Sequence, residues 1–322
     1  MASEEPLYGK APSPRTRYRR RLRVDPDVRQ QWLEAGRIAA EGRELAHEVV
    51  EVGTDWVEVA EAIEDHVRSE GAEPAFPVNI SVNEDAAHDT ARPGDDRTFE
   101  EGDVVKVDVG AHLDGYIGDT ATTVLLGGRG RKLKQAAEEA LSAAIERVQA
   151  GVNVKEIGST VQSTMQAHGA KPISNLTGHL IERWTQHAGI SIPNIPHGDK
   201  TIEAGQVIAI EPFATDGVGK IHEGEDGGIF HYEQTTRQRQ NDVRQAMEII
   251  EDEFDELPFA SRWLVDEGVN ERRMPLVLRT LKRTGAIEAY GVLTEDGDGL
   301  VGQAEHTMIV EEDGVTVTTV AE

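Results

Sequence analysis

The sequence predicts an α+β fold: two α/β halves related by a pseudo-twofold around an antiparallel sheet, with a small helical insert. Two observations predict it. The first is an internal repeat. Gly53 corresponds to Gly151, Glu58-Val59 to Glu156-Ile157, Gly71-Ala72 to Gly169-Ala170 and Pro74 to Pro172, all at one offset. Further on, Gly102 precedes Asp108 by the interval that separates Gly205 from Glu211. One offset shared by several matches points to a duplicated unit, and two such halves pack with a site between them. The second observation is residues 104–125, VVKVDVGAHLDGYIGDTATTVL, two β-rich runs on either side of Asp114-Gly115. That dipeptide between alternating apolar residues is a hairpin signal.

The elements follow in order. Residues 1–27 are poor in large apolar residues and carry Pro6, Pro12, Pro14 and Pro26, with a basic run of Lys10, Arg15, Arg17, Arg19, Arg20, Arg21 and Arg23. They read as a disordered arm, or as a misassigned start, and 28–322 as one domain. From Val28 to Val50 the apolar spacing is helical. Gly53 breaks that helix, Thr54 is the predicted N-cap of a second one reaching about Ser69, and Gly71 closes it. AEPAFPVNISVNEDAAH then predicts a short strand leading to His88. Residues 131–150 predict another amphipathic helix. Residues 234–292, charged and punctuated by Pro258 and Pro275, read as the helical insert, after which GLVGQAEHTMIV and VTVTTV return to strand.

Composition narrows the function. With no Cys, disulfides, thiolate catalysis and Cys-ligated metal sites are excluded. No apolar run has transmembrane length and no signal peptide is evident, so a cytoplasmic protein is expected, with no membrane partner. The 33 basic against 59 acidic residues leave a net charge of −26, spread along the chain. Such self-repulsion is tolerable where salt screens it, which points to a halophilic source.

The chemistry starts at the hairpin. Alternation puts Asp108 on the face of Lys106 and Gly110, and the turn brings Asp119 opposite or diagonal to Asp108 on that face. Two adjacent carboxylates repel unless a cation lies between them, or they are simply solvated. Glu211 in VIAIEP and Glu305 in QAEHTMIV each occur in a strongly apolar strand, where an unpaired charge costs several kcal/mol. With His179 in NLTGHL they make four carboxylates and one imidazole, a set suited to a dinuclear metal site.

The motifs EPAFPVNISVNEDAAH, KVDVGAHLDGYIGDTATTV, NLTGH…HAG, IAIEPF and QAEHT occur in that order. From about residue 28 to the C-terminus the sequence resembles the type 2 methionine aminopeptidases of archaeal kind, in the creatinase/aminopeptidase "pita-bread" family. The resemblance implies metal-dependent removal of N-terminal methionine from nascent polypeptides. It implies two divalent ions (Co, Mn, Fe or Zn) held by Asp108, Asp119, His179, Glu211 and Glu305. Glu211 would also handle the proton of the attacking water, and His88 and His187 would contact the substrate and its scissile carbonyl. Phe76, Tyr290 and His231 fall where the family's substrate pocket lies, together with His88 and His187. Gln186 departs from the family, which is usually aliphatic before the second histidine. Xaa-Pro aminopeptidases and prolidases share the five ligands but usually carry an extra N-terminal domain. A non-catalytic homologue that binds nucleic acid would have lost ligands, and all five are present. A monomer is expected, and the basic arm could tether the enzyme to ribosomal RNA.

Overall fold

The computed structural model describes residues 25–254 and 256–321. The first half opens with α1 (Pro26–Val49) and α2 (Trp56–Ser69). Asp25 caps α1 by accepting from the Asp27 N–H at 3.0 Å, and Pro26 fills the first turn, where its missing N–H costs nothing. The helix therefore begins two residues before the expected Val28, and Pro26 and Asp27 are part of it rather than of an arm ending at 27. The basic run at 10–23 lies outside the described residues. The cap of α2 is Asp55, not Thr54, because Asp55 pairs with Thr98 in an isolated bridge that keeps the chain extended one residue longer.

Two strands, β1 (Glu73–Val82) and β2 (Asp85–Ala87), replace the one short strand expected before His88. Between them Asn83 takes φ 57°, a left-handed conformation that Asn tolerates, while its side chain accepts from Val104 N–H. Then β3 (Val104–Leu113) and β4 (Tyr116–Leu125) form the predicted hairpin. Leu113 faces Tyr116, and Asp114 (φ 50°) and Gly115 (φ 82°) make the two-residue turn. The sheet order is β1-β3-β4. Helix α1 lies directly on β4 because Gly36 and Gly118 meet there; a Cβ on Gly118 would come within 2.5 Å of Gly36 Cα.

The second half repeats the plan with α3 (Arg131–Arg147), α4 (Val154–Ala167), β5 (Lys171–Pro172), β6 (Thr177–Glu182), β7 (Thr185–Pro193) and β8 (Val207–Ile210). The repeat is visible in the backbone bonds. Gly53 N–H donates to Phe99 O and Gly151 N–H to Ile202 O, both at 2.8 Å. Asp55 bridges Thr98 as Asn153 bridges Thr201. Next come β9 (Phe213–Thr215), β10 (Ile221–Tyr232), α5 (Asn241–Glu253), β11 (Phe259–Ala260), α6 (Ser261–Asp266) and α7 (Met274–Thr284). The chain ends with β12 (Ile287–Glu295), β13 (Val301–Gln303), β14 (His306–Val310) and β15 (Val315–Val317).

The insert thus holds helices only between 241 and 284. Residues 287–292, expected within it, are strand: β12 lies between β10 and β2 in a sheet ordered β11-β10-β12-β2. The alternating burial of IEAYGVLTE is a strand pattern that the preceding charged helix masked. The second half's sheet runs β15-β14-β8-β6-β7. Each half packs its helix pair on its own sheet through a separate apolar core, and α5, α6 and α7 share a third.

Candidate metal centre

Asp108 stands opposite Ala121 and Asp119 opposite Gly110, so the two carboxylates are diagonal neighbours on one face of the hairpin. Gly110 leaves room for the Phe76 ring: a Cβ there would lie 2.3 Å from it. Glu211 follows β8, Glu305 stands between β13 and β14, and His179 lies on β6 opposite Ala209. The two halves are fastened at these residues. Asp119 N–H donates to Thr307 Oγ1 (3.0 Å), whose hydroxyl donates back to Asp119 O (2.8 Å). Thr120 donates to Glu305 O (2.7 Å), and Glu305 N–H to Ala121 O (3.1 Å).

All five residues line one cavity of about 40 Å³, room for about three or four water-sized occupants at about 10–15 Å³ each. Asp119 and Glu305 are 1% and 2% exposed, and no Lys or Arg is among the described residues lining the cavity. Burial pushes all four carboxyl groups up, and neighbouring carboxylates push Asp108, Glu211 and Glu305 further. Burial and then His187 push the His179 ring well down.

The donor set fits divalent cations. Asp108 Oδ1 and Asp119 Oδ1 are buried without a hydrogen-bond partner. His179 Nε2 is 3.6 Å from Asp119 Oδ2 and 3.8 Å from Glu211 Oε1. That is too long for a hydrogen bond and close to the roughly 3.3 Å between two atoms held tetrahedrally about 2.0–2.1 Å from one ion. Asp119, His179 and Glu305 each bring a ligand atom within 4.8 Å of the other two, and Asp108 and Glu211 face the same space. Four carboxylates gathered this closely need positive charge, and none of the described residues lining the cavity is a Lys or Arg.

The histidines complete the wall. His88 adopts φ 67°, held there by its N–H donating to Asn79 Oδ1 (3.0 Å). Gly227 is required opposite: a Cβ would fall 1.8 Å from the His88 carbonyl oxygen. The His88 ring stands edge-on to Tyr290 with centroids 5.2 Å apart, and burial, then His187, lowers its pKa to about 3. His187 keeps an exposed edge on β7, its ring 4.4 Å from that of His179, and the surrounding protein lowers its pKa to about 4.

Phe76, Gln186 and Tyr290 line the cavity, and His231 is not among its lining residues. Ile229 of β10 lies at the wall, and His231 is two residues further along that strand, paired with Glu288. Asn79, Pro258 and Gln303 escaped the sequence reading. Asn79 sits in the motif before His88 without a chemical spacing to mark it. Gln303 is two residues before Glu305, its Nε2 3.5 Å from Glu305 Oε2, and strand alternation could have found it. Pro258 reaches the cavity from the insert, and nothing in the sequence signals that.

Residues 30–237 match metallopeptidase family M24. The chain is 47% identical over 289 residues to a methionine aminopeptidase of Pyrococcus abyssi, covering 89% of this chain and 98% of the relative. It belongs to metallopeptidase family M24. A second relative, a methionine aminopeptidase of Archaeoglobus fulgidus, is 46% identical over 297 residues, 92% of this chain and 100% of its own. The solved methionine aminopeptidase of Rickettsia prowazekii shares the fold, with a TM-score of 0.67 at 21% identity, covering 92% of this chain and 98% of that one. The expected pita-bread fold is therefore met. In this M24 chain the family match stops just before α5, and Glu305 lies beyond the insert, where the fold returns to the site.

Proposed function

We propose that this chain removes N-terminal methionine from nascent polypeptides by metal-dependent hydrolysis. The observation that carries the proposal is the convergence of four carboxylates, two buried and two half-buried, and His179 on one cavity with no Lys or Arg among the described residues lining it, in a chain 47% identical to a methionine aminopeptidase. Asp108, Asp119, His179, Glu211 and Glu305 would hold two divalent ions (Co, Mn, Fe or Zn). When bound, such ions polarise a carbonyl and lower the pKa of water. Glu211, at the cavity edge, takes the proton of the attacking water and returns it to the leaving amine. His187, at the mouth, donates a hydrogen bond to the oxygen of the scissile carbonyl as charge develops there. His88, locked by Asn79, orients the first residue. Phe76, Tyr290, Ile229 and Pro258 form an apolar wall on which a flexible thioether packs well.

No helix among the described residues is long and apolar enough to cross a membrane. On this reading the chain works in the cytoplasm as a monomer; the net charge of −26 supports a salt-rich cell, and the basic run Arg15 to Arg23 would tether it to ribosomal RNA.

The test is release of methionine from Met-Ala-Ser by the full chain reconstituted with each ion in turn, against release of Xaa from Xaa-Pro peptides. Asp119→Asn should abolish release, and Glu211→Gln should lower kcat by about 10²–10⁴ while some metal remains bound. Wild-type turnover by Asp119→Asn at saturating metal, or a preference for Xaa-Pro, would overturn the reading.

A further inference from the structure

Gln186 Nε2 donates to Asp119 Oδ2 at 3.1 Å. The backbone of Asp119 is already held on both sides by Thr307, so the freedom that remains is rotation of its carboxylate, a broad and weakly restricted torsion. The other oxygen, Oδ1, is buried and has no hydrogen-bond partner. A donor on Oδ2, the oxygen 3.6 Å from His179 Nε2, favours one rotation of the carboxylate and so the directions in which both oxygens are presented. The comparable amide, Gln303 Nε2, stands 3.5 Å from Glu305 Oε2, at the limit of a hydrogen bond.

The donor is itself anchored. Gln186 lies two residues after the β6–β7 turn, and that turn is clasped to the tip of the β3–β4 hairpin that carries Asp119. Trp184 N–H donates to Gly115 O (2.9 Å), and Arg183 Nε to Asp114 O (2.7 Å). The Trp184 ring packs on Gly115, where a Cβ would fall 2.4 Å from it, and stands edge-on to His112 with centroids 5.0 Å apart. The strand bearing the amide and the strand bearing the carboxylate are therefore fixed relative to each other.

We infer that Gln186 is a positioning residue that acts through Asp119: its amide sets the carboxylate plane and so the affinity for divalent metal, and it does not serve to select the methionine side chain. The inference rests on the metallopeptidase reading above. Partners of this kind behind a metal ligand are worth about 10–100-fold in metal affinity. Gln186→Met keeps the length and removes the donor, and Gln186→Leu serves as a second variant should the first fold poorly, with metal-free melting curves as the check on folding.

The experiment titrates the peptide-free chain with Mn²⁺ by calorimetry and then measures KM and kcat on Met-Ala-Ser at saturating Mn²⁺. Both variants should bind Mn²⁺ about 10–100-fold more weakly, with KM little changed once metal is saturating. Wild-type Mn²⁺ affinity with a raised KM would make Gln186 a pocket wall and overturn the inference. A wild-type chain that binds Mn²⁺ yet releases no methionine would overturn the peptidase reading alone. A wild-type chain that binds no Mn²⁺ would overturn both.

Discussion

His112 shows how one residue couples the hairpin tip to pH. It lies on β3 against Trp184, and its Nδ1 accepts from Gly115 N–H at 3.3 Å. Burial, opposed by the charge of Asp114, lowers its pKa to about 4. In the unfolded chain the imidazole takes its proton near pH 6.5. The folded form therefore binds fewer protons between those values, so the contribution to stability is full above about pH 6.5 and is lost as pH falls toward 4. His112→Gln should show a shallower fall of melting temperature than the wild type between about pH 7 and 4.5, both measured metal-free. Parallel curves would show that His112 does not carry the slope. The same physics at Asp108, Asp119, Glu211 and Glu305 has a different outcome, because burial there gathers acids around a space that a cation can fill.

At the scale of elements, one buried ion pair fastens the insert to the first half. Glu64 on α2 accepts from both terminal nitrogens of Arg262 (2.7 and 2.9 Å), from Trp263 Nε1 (2.7 Å) and from Val78 N–H (3.1 Å). Arg262 Nε donates to Ala91 O (3.0 Å), and the pair is 1% and 4% exposed. Helix α6 is thereby held on α2 and β1, and Pro258, four residues before Arg262, is held at the cavity. Glu64→Leu strands a buried guanidinium and should cost about 3–5 kcal/mol in urea unfolding. Adding Arg262→Met should recover much of that loss, since a buried pair is often replaceable by apolar groups at little cost. A Glu64→Leu chain as stable as the wild type would mean that the insert is held by its apolar core alone.

At the scale of the molecule, a net charge of −26 must be held together in one body. Screening length falls from about 30 Å at 0.01 M salt to about 3 Å at 1 M, so self-repulsion is severe in dilute buffer and slight in concentrated salt. The melting temperature should rise steeply with KCl between about 0.1 and 2 M. A flat curve over that range would contradict a fold adapted to salt. The two halves meet where β4 and β14 exchange threonine hydrogen bonds, beside the acidic cavity, so loss of screening should loosen the site together with the fold.

The sequence by itself determined the parts that depend on near neighbours. The Asp114-Gly115 turn, the alternation that places Asp108 and Asp119 on one face, and the repeated glycines of the two halves are short-range patterns, and each stands in the structure. The motifs also named the acids and the histidine, but spacing along a chain does not say where they meet. Only the tertiary structure brought Glu305 to Asp119, through a hydrogen bond from Thr120 that spans 185 residues of sequence. It also put Ile229 of β10 and Pro258 of the insert at the cavity and left His231 off its wall. It took residues 287–292 out of the expected helical insert and into β12, the strand that β10 and β2 both pair with. Local pattern fixes which face a side chain takes, whereas register shifts and contacts between distant segments decide what that face meets.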